Sequence, residues 1–199
     1  MCPILVRFSK HLARIWFWDK RVNMLRHMIL GKSLGTYVAL FALATTPAPV
    51  WAQSQSPTLI GESGDWQAYT YKSAGASVCY VVSQPKSSEP KTAKRDPIFF
   101  LVTHRPGQKI RNEVSTIIGY PFKKDSKVDL DIDGTAFTLF TNADGAWADT
   151  KDDGLVVDAM KKGQSMIVKG TSWRGTSTVD TYSLKGVSAA MEKIDSACK

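Results

Sequence analysis

The feature that most restricts the fold is a series of short β-branched and aromatic runs, punctuated by turn residues. The runs are Trp66–Tyr71, Val78–Ser83, Ile98–Thr103, Glu113–Ile118, Lys127–Ile132, Phe137–Thr141, Ser165–Gly170 and Thr176–Leu184. Val, Ile, Phe, Tyr and Thr suit a pleated, half-buried surface, so each run reads as a strand. Many short strands with turns at near-regular spacing predict a mainly β domain, an antiparallel β-sandwich or barrel-like fold. In one run, Val128, Leu130 and Ile132 alternate with Asp129, Asp131 and Asp133, which turns one face to solvent. Asp133-Gly134 then predicts a tight hairpin, because a primed turn needs positive φ at both central positions. Residues Ile98 to Val102 are apolar without interruption and predict a central strand covered on both faces.

Two helices complete the prediction. Asp152 and Asp153 open the internal one, Leu155, Val156, Ala159 and Met160 form its apolar face, and Lys161-Lys162 close it before Gly163. Acid at the start and base at the end suit the helix dipole, and glycine suits a left-handed stop. At the C-terminus Val187, Met191, Ile194 and Cys198 fall on one helical face, so Cys198 lies on the buried stripe. Ser83 to Pro97, with Pro85, Pro90 and several basic residues, reads as an exposed loop.

The N-terminal segment reads as an address. Arg26 and Lys32 precede the apolar run Leu34 to Ala44, and Val50-Trp51-Ala52 offers a small-x-small cleavage site before Gln53. That order is a secretory signal peptide over residues 1–52, and a start at Met24 or Met28 would give one of ordinary length. Its apolar core is shorter than the ~20 residues a spanning helix needs, so no stable membrane span remains after cleavage. The expected mature part, 53–199, is of single-domain size. Seven of the 26 Lys and Arg, but one of the 18 Asp and Glu, lie before Gln53. That leaves 19 basic and 17 acidic residues, a net of +2, which removes the main support for a nucleic-acid partner. The short runs Lys91-Lys94-Arg95, Lys123-Lys124 and Lys161-Lys162 read as solvated charge.

Cysteine usage agrees with export. Cys2 leaves with the signal, and Cys79 and Cys198 remain as an even pair. Without a Cys-x-x-Cys spacing they read as one structural disulfide that pins the terminal helix to a strand.

Catalytic chemistry is poorly supplied. Asp129, Asp131, Asp133 and Gly134 match the first half of a calcium loop, but its twelfth position, a bidentate Glu, is Phe140. His104 is the single histidine after Gln53, and a His-activated nucleophile also needs an orienting carboxylate. Zinc would lack ligands. No catalytic, metal or cofactor site is therefore expected. Residues Lys169 to Thr176 read as a hairpin with a glycine-assisted turn, and Trp173 beside Arg174 on it is the candidate partner contact.

Several phrases carry a family likeness. Gly64-Asp65-Trp66, Val78-Cys79-Tyr80, Phe100 to Pro106, Gly119 to Phe122, Phe137 to Phe140, Ala146-Trp147-Ala148, Ala159 to Gly163, Val168 to Ser172 and Asp180 to Leu184 together resemble the invasion-associated locus B (IalB) family of alphaproteobacteria. The resemblance implies a compact β-rich domain in the periplasm, at the cell surface or secreted, in a family named for virulence-linked host invasion. It supplies no catalytic residues. Members often carry a further cysteine after the Gly-Asp-Trp phrase; here Tyr69 and Tyr71 occupy that neighbourhood, so one intramolecular bridge is possible. The leading expectation is a non-enzymatic envelope or surface protein that binds an envelope or host-surface partner. The alternatives are a hydrolase using His104, which requires a concave pocket around that residue, and a carbohydrate- or lipid-binding β-sandwich, which requires exposed aromatics clustered on one face. Trp66, Trp147, Trp173 and His104 discriminate among them.

Overall fold

A computed structural model describes residues 56–199. The expected signal peptide and its cleavage point lie outside the described residues. Within them the chain forms strands β1 (Thr58–Ser63), β2 (Trp66–Ser73), β3 (Ala76–Ser83), β4 (Ser87–Glu89), β5 (Phe99–Arg105), β6 (Ile110–Ile117), β7 (Lys127–Ile132), β8 (Thr135–Asn142) and β9 (Gly145–Trp147). Helix α1 (Thr150–Lys162), strands β10 (Ser165–Thr171) and β11 (Ser177–Ser183) and helix α2 (Val187–Ala197) follow. All eleven strands join one antiparallel sheet in the order β1-β2-β3-β5-β6-β9-β8-β7-β10-β11-β4.

The sheet rolls until its two ends meet. The Trp66 indole Nε1 on β2 donates to the Ser183 carbonyl on β11 at 3.0 Å, and Asp65 N donates to Lys185 O at 3.0 Å. Inside the roll, Phe100 packs edge-on against Trp66 and Tyr182, with ring centroids 6.4 and 5.8 Å apart. Edge-to-face contact is the favoured geometry for such rings. Trp66, Phe100, Val102, Leu139, Met166 and Tyr182 are buried in this core. The alternation expected of β7 holds: Val128, Leu130 and Ile132 are buried while Asp129 is exposed. Its hairpin has positive φ at both Asp133 (47°) and Gly134 (90°), as the primed turn demands.

Both helices cover the inner side. Asp149 caps α1 by accepting from Lys151 N at 3.2 Å. Its buried stripe is Asp153, Val156, Val157 and Met160, so Leu155, expected on the apolar face, is instead 60% exposed. Gly163 ends the helix in an extended conformation (φ −84°, ψ 170°), not the left-handed one expected. It is needed for space, because a Cβ there would lie 2.9 Å from Ile132 Cγ2 and 3.0 Å from Leu184 Cδ1. Helix α2 buries Val187, Ala190, Met191 and Ile194 against β1, β2 and β3.

Two readings of the sequence fail for one reason, distant partners. The segment Ser83 to Pro97 contains edge strand β4, and Arg95 within it is not solvated charge: its side chain is 6% exposed. It forms a two-pronged pair with the fully buried Asp180 at 2.7 and 2.6 Å, and donates twice to Ile118 O. Its guanidinium lies 5.0 Å from the Tyr120 ring centroid. The second failure is β5. Strands flank it on both edges, but Phe99 and Leu101 are only half-buried.

Candidate functional site

The half-buried residues of β5 belong to a surface strip. Residues paired across an antiparallel ladder share a face. Following the register outward from Leu101 gives one transverse row: Gln67, Val82, Leu101, Ser115, Trp147, Phe140 and Lys127. The row on one side holds Tyr69, Tyr80, Thr103 and Glu113; that on the other holds Phe99, Ile117, Gly145 and Asn142. Cys79 and His104, which α2 covers, point to the opposite face. Among the described residues, neither helix packs on the strip.

Aromatic rings dominate it. Tyr69 and Tyr80 stack with centroids 5.3 Å apart and planes 15° apart, and Tyr71 meets Tyr80 edge-on at 6.3 Å. At the other end Phe140 and Trp147 lie near-parallel, 26° between planes and 6.1 Å between centroids. Phe140 is 54% exposed and Ile117 39%. The Trp147 indole extends along β9 over Gly145, where a Cβ would come within 2.4 Å of Cη2. Glycine therefore leaves room for the ring to lie against the sheet. Polar groups border the strip. Tyr69 OH donates to Gln67 Oε1 at 3.1 Å, and Arg105 and Glu113 form a two-pronged ion pair at 2.6 and 2.8 Å. Burial, then the neighbouring Tyr69 and Tyr71, push the Tyr80 phenol up to about 12, so it stays neutral near pH 7. Such a surface can stack flat apolar faces and offer hydrogen bonds at its rim; it presents no nucleophile–base pair.

Of the residues singled out by sequence, Trp147 lies on the strip and the others fall elsewhere. His104 is fully buried, its Nδ1 accepts from Asn112 N at 3.1 Å, and its Nε2 lies 3.0 Å from Asp195 Oδ1 on α2. Asn112 N is a donor, so the imidazole carries its proton on Nε2 and donates to Asp195. Arg111 also donates to Asp195. Burial pulls the His104 pKa below its ordinary value against the opposing pull of Asp195. With both ring nitrogens engaged inside the protein, His104 holds α2 to β5 and is not placed to activate a nucleophile. Cys79 on β3 and Cys198 at the end of α2 lie at disulfide distance, 2.10 Å between sulfurs and 6.0 Å between Cα atoms. Trp173 is 59% exposed with the Arg174 guanidinium 4.8 Å from its ring centroid. Trp66 is fully buried.

The acidic half-motif is used by turns. Asp131 accepts from Gly134 N, and Asp133 accepts from Gln164 N at 2.6 Å and Ser165 N at 3.1 Å. No group of three or more metal-ligating side chains converges among the described residues. No described helix is long and apolar enough to cross a membrane.

A family model described as "Invasion associated locus B (IalB) protein" matches residues 66–195. The chain belongs to the IalB family. No curated protein and no solved structure matches it. IalB proteins are envelope-associated, and the family is not one of known enzymes. The matched IalB region contains every strip residue from Gln67 to Trp147. Residue reasoning missed the strip as a site, although two signals carried it. One was the uninterrupted apolar run of β5, which sheet alternation splits between two faces. The other was the i, i+2 spacing of Tyr69 and Tyr71, which puts both rings on one face of β2.

Proposed function

We propose that this protein is an exported, non-enzymatic IalB-type component of the periplasm or cell surface that acts by binding. The observation that carries this reading is the aromatic strip from Tyr69 to Phe140, left bare by both helices among the described residues. Contiguous exposed apolar surface on a soluble domain marks an interaction site far more often than scattered single residues do. Oxidation of Cys79 and Cys198 suits an oxidising compartment outside the cytoplasm. The hydrolase reading loses its main residue, since His104 lies beneath α2. The Trp173–Arg174 pair, on the hairpin between β10 and β11, remains a second candidate contact outside the strip.

Cosedimentation of the exported protein with isolated cell envelopes tests this. Binding that drops at least tenfold in Trp147→Ala/Phe140→Ala, with unchanged circular dichroism and thermal midpoint, supports the strip as the binding surface. Full retention by that double variant with loss in Trp173→Ala would move the site to the hairpin. Turnover of an envelope substrate that depends on His104 would replace the binding reading with an enzymatic one.

A further inference from the structure

We propose that the strip is a platform for a linear glycan, taken along its length with sugar faces stacked on Tyr69/Tyr80 and Trp147/Phe140. This rests on the binding reading above and names its ligand class. The first support is shape. From β2 to β8 the strip crosses five inter-strand intervals, about 24 Å at the usual spacing. Across that length it is only two to three residue rows wide. Its area is thus on the order of a few hundred Å², against roughly 800 Å² per partner in a stable protein interface. A long, narrow contact suits a polymer laid flat better than a second copy of this chain.

The second support is chemistry. The C–H faces of a pyranose are apolar and flat, while its hydroxyls point outward around the ring. The strip matches this division: near-parallel rings in pairs at two places, with Gln67, Ser115, Asn142 and the tyrosine hydroxyls alongside as hydrogen-bonding groups. Gly145 lets the Trp147 ring lie along the strand beside Phe140. Tyr and Trp present large, rigid, amphipathic contact area of this kind.

The third support is charge. Stacked aromatics also bind single-stranded nucleic acid, but that binding needs a basic groove tracking the phosphates. Here Arg105 is neutralised by Glu113, and Lys127 at the far end stands beside Asp129. The same mixture disfavours an anionic lipid surface. An acyl chain would need a recess, and the two best-formed hollows, both shallow, flank α2 (Ile60, Lys193) and α1 (Phe137, Leu155).

The test is titration of the full exported protein with chito- and cello-oligosaccharides from disaccharide to hexasaccharide, read by tryptophan fluorescence and calorimetry. Affinity should rise with chain length. It should fall at least tenfold in Trp147→Ala and in Tyr80→Ala, and be unchanged in Leu155→Ala on the helical side. Because Tyr80 is half-buried and Phe140 is 54% exposed, Phe140→Ala serves as the second strip variant, free of any folding effect at Tyr80. Absence of binding to every oligosaccharide, while the parent still cosediments with envelopes through the strip, overturns the glycan assignment and leaves the binding reading standing. Strip-dependent binding to a single-stranded oligonucleotide or to anionic vesicles, or a strip-dependent dimer in sedimentation, overturns it as well. Loss of strip dependence in both assays overturns both.

Discussion

Trp147 occupies the space that a side chain at Gly145 would need. A Cβ at position 145 would sit 2.4 Å from Cη2 of the indole and 2.9 Å from Cζ3. The φ of Gly145 is not positive, so the strand backbone itself would accept another residue. Replacing an interior strand glycine by alanine ordinarily gains about 0.5–1 kcal/mol. Gly145→Ala should forgo that gain and cost about 1 kcal/mol, by forcing the ring off its rotamer. A shifted tryptophan emission spectrum and weakened strip-dependent binding should accompany the loss. A variant more stable than the parent, with unchanged emission, would mean the ring is free to move.

Reduction of the Cys79–Cys198 pair should lower stability by about 2–4 kcal/mol, chiefly by releasing the unfolded chain. Denaturant midpoints with and without reductant measure it. Two alkylatable thiols in protein recovered from the envelope would show that the pair is not joined there.

Asp180→Ala should be among the most damaging single changes, at about 3–5 kcal/mol, because it leaves the Arg95 guanidinium buried and unpaired. Chemical denaturation checks this. The double variant Arg95→Met/Asp180→Leu should recover part of the loss, since paired removal leaves no orphan charge. A loss under 1 kcal/mol for the single change would show that water reaches the pair.

His104→Ala should cost about 2–4 kcal/mol, through the cavity under α2 and the orphaned Asn112 N–H. Envelope binding per folded molecule should not change. Thermal unfolding and cosedimentation, run together, separate these two effects.

Asp153 and His104 pull the pH profile in opposite directions. Burial raises the Asp153 carboxyl to about 6, so the folded state holds the proton more tightly than the unfolded one. Its contribution is favourable at acid pH and declines as pH rises through about 4 to 6. His104 is lowered by burial, so its contribution is full above the unfolded value near 6.5 and is lost as pH falls. Asp153→Asn keeps an acceptor for Val114 N and removes the carboxyl titration. That variant should match or exceed the parent by about 1–3 kcal/mol above pH 6. Its stability should then fall with acid across pH 4 to 6.5 more steeply than the parent's, once the compensating group is gone. An unchanged profile in urea denaturation between pH 4 and 8 would refute both assignments.

Much of the local structure was legible because it depends on near neighbours. The alternation in Lys127–Ile132, the Asp133-Gly134 turn and the stripe Val187, Met191, Ile194 each encode a face or a bend within a few residues. Strands β1, β4 and β9 were not read. Two are only three residues long, and β1 carries a bulge between Leu59 and Gly61 that breaks its alternation, so none carries enough period to register.

By itself the sequence determined eight of the eleven strands and both helices, the apolar side of most of them, and that two cysteines remain after the expected cleavage. Only the tertiary structure decided which apolar side is covered. Alternation assigns residues to two faces of a sheet but does not say where helices will lie. Here α1 and α2 both take the face of Cys79, His104 and Val114, so Leu101, Trp147 and Phe140 remain outside. Likewise a lysine and an arginine in one loop read alike. It is Asp180, 85 residues from Arg95, that draws the arginine into the core while Lys94 stays in water. Burial of a charge or exposure of an aromatic depends on a partner's presence or absence in space, and that is settled only when distant segments meet.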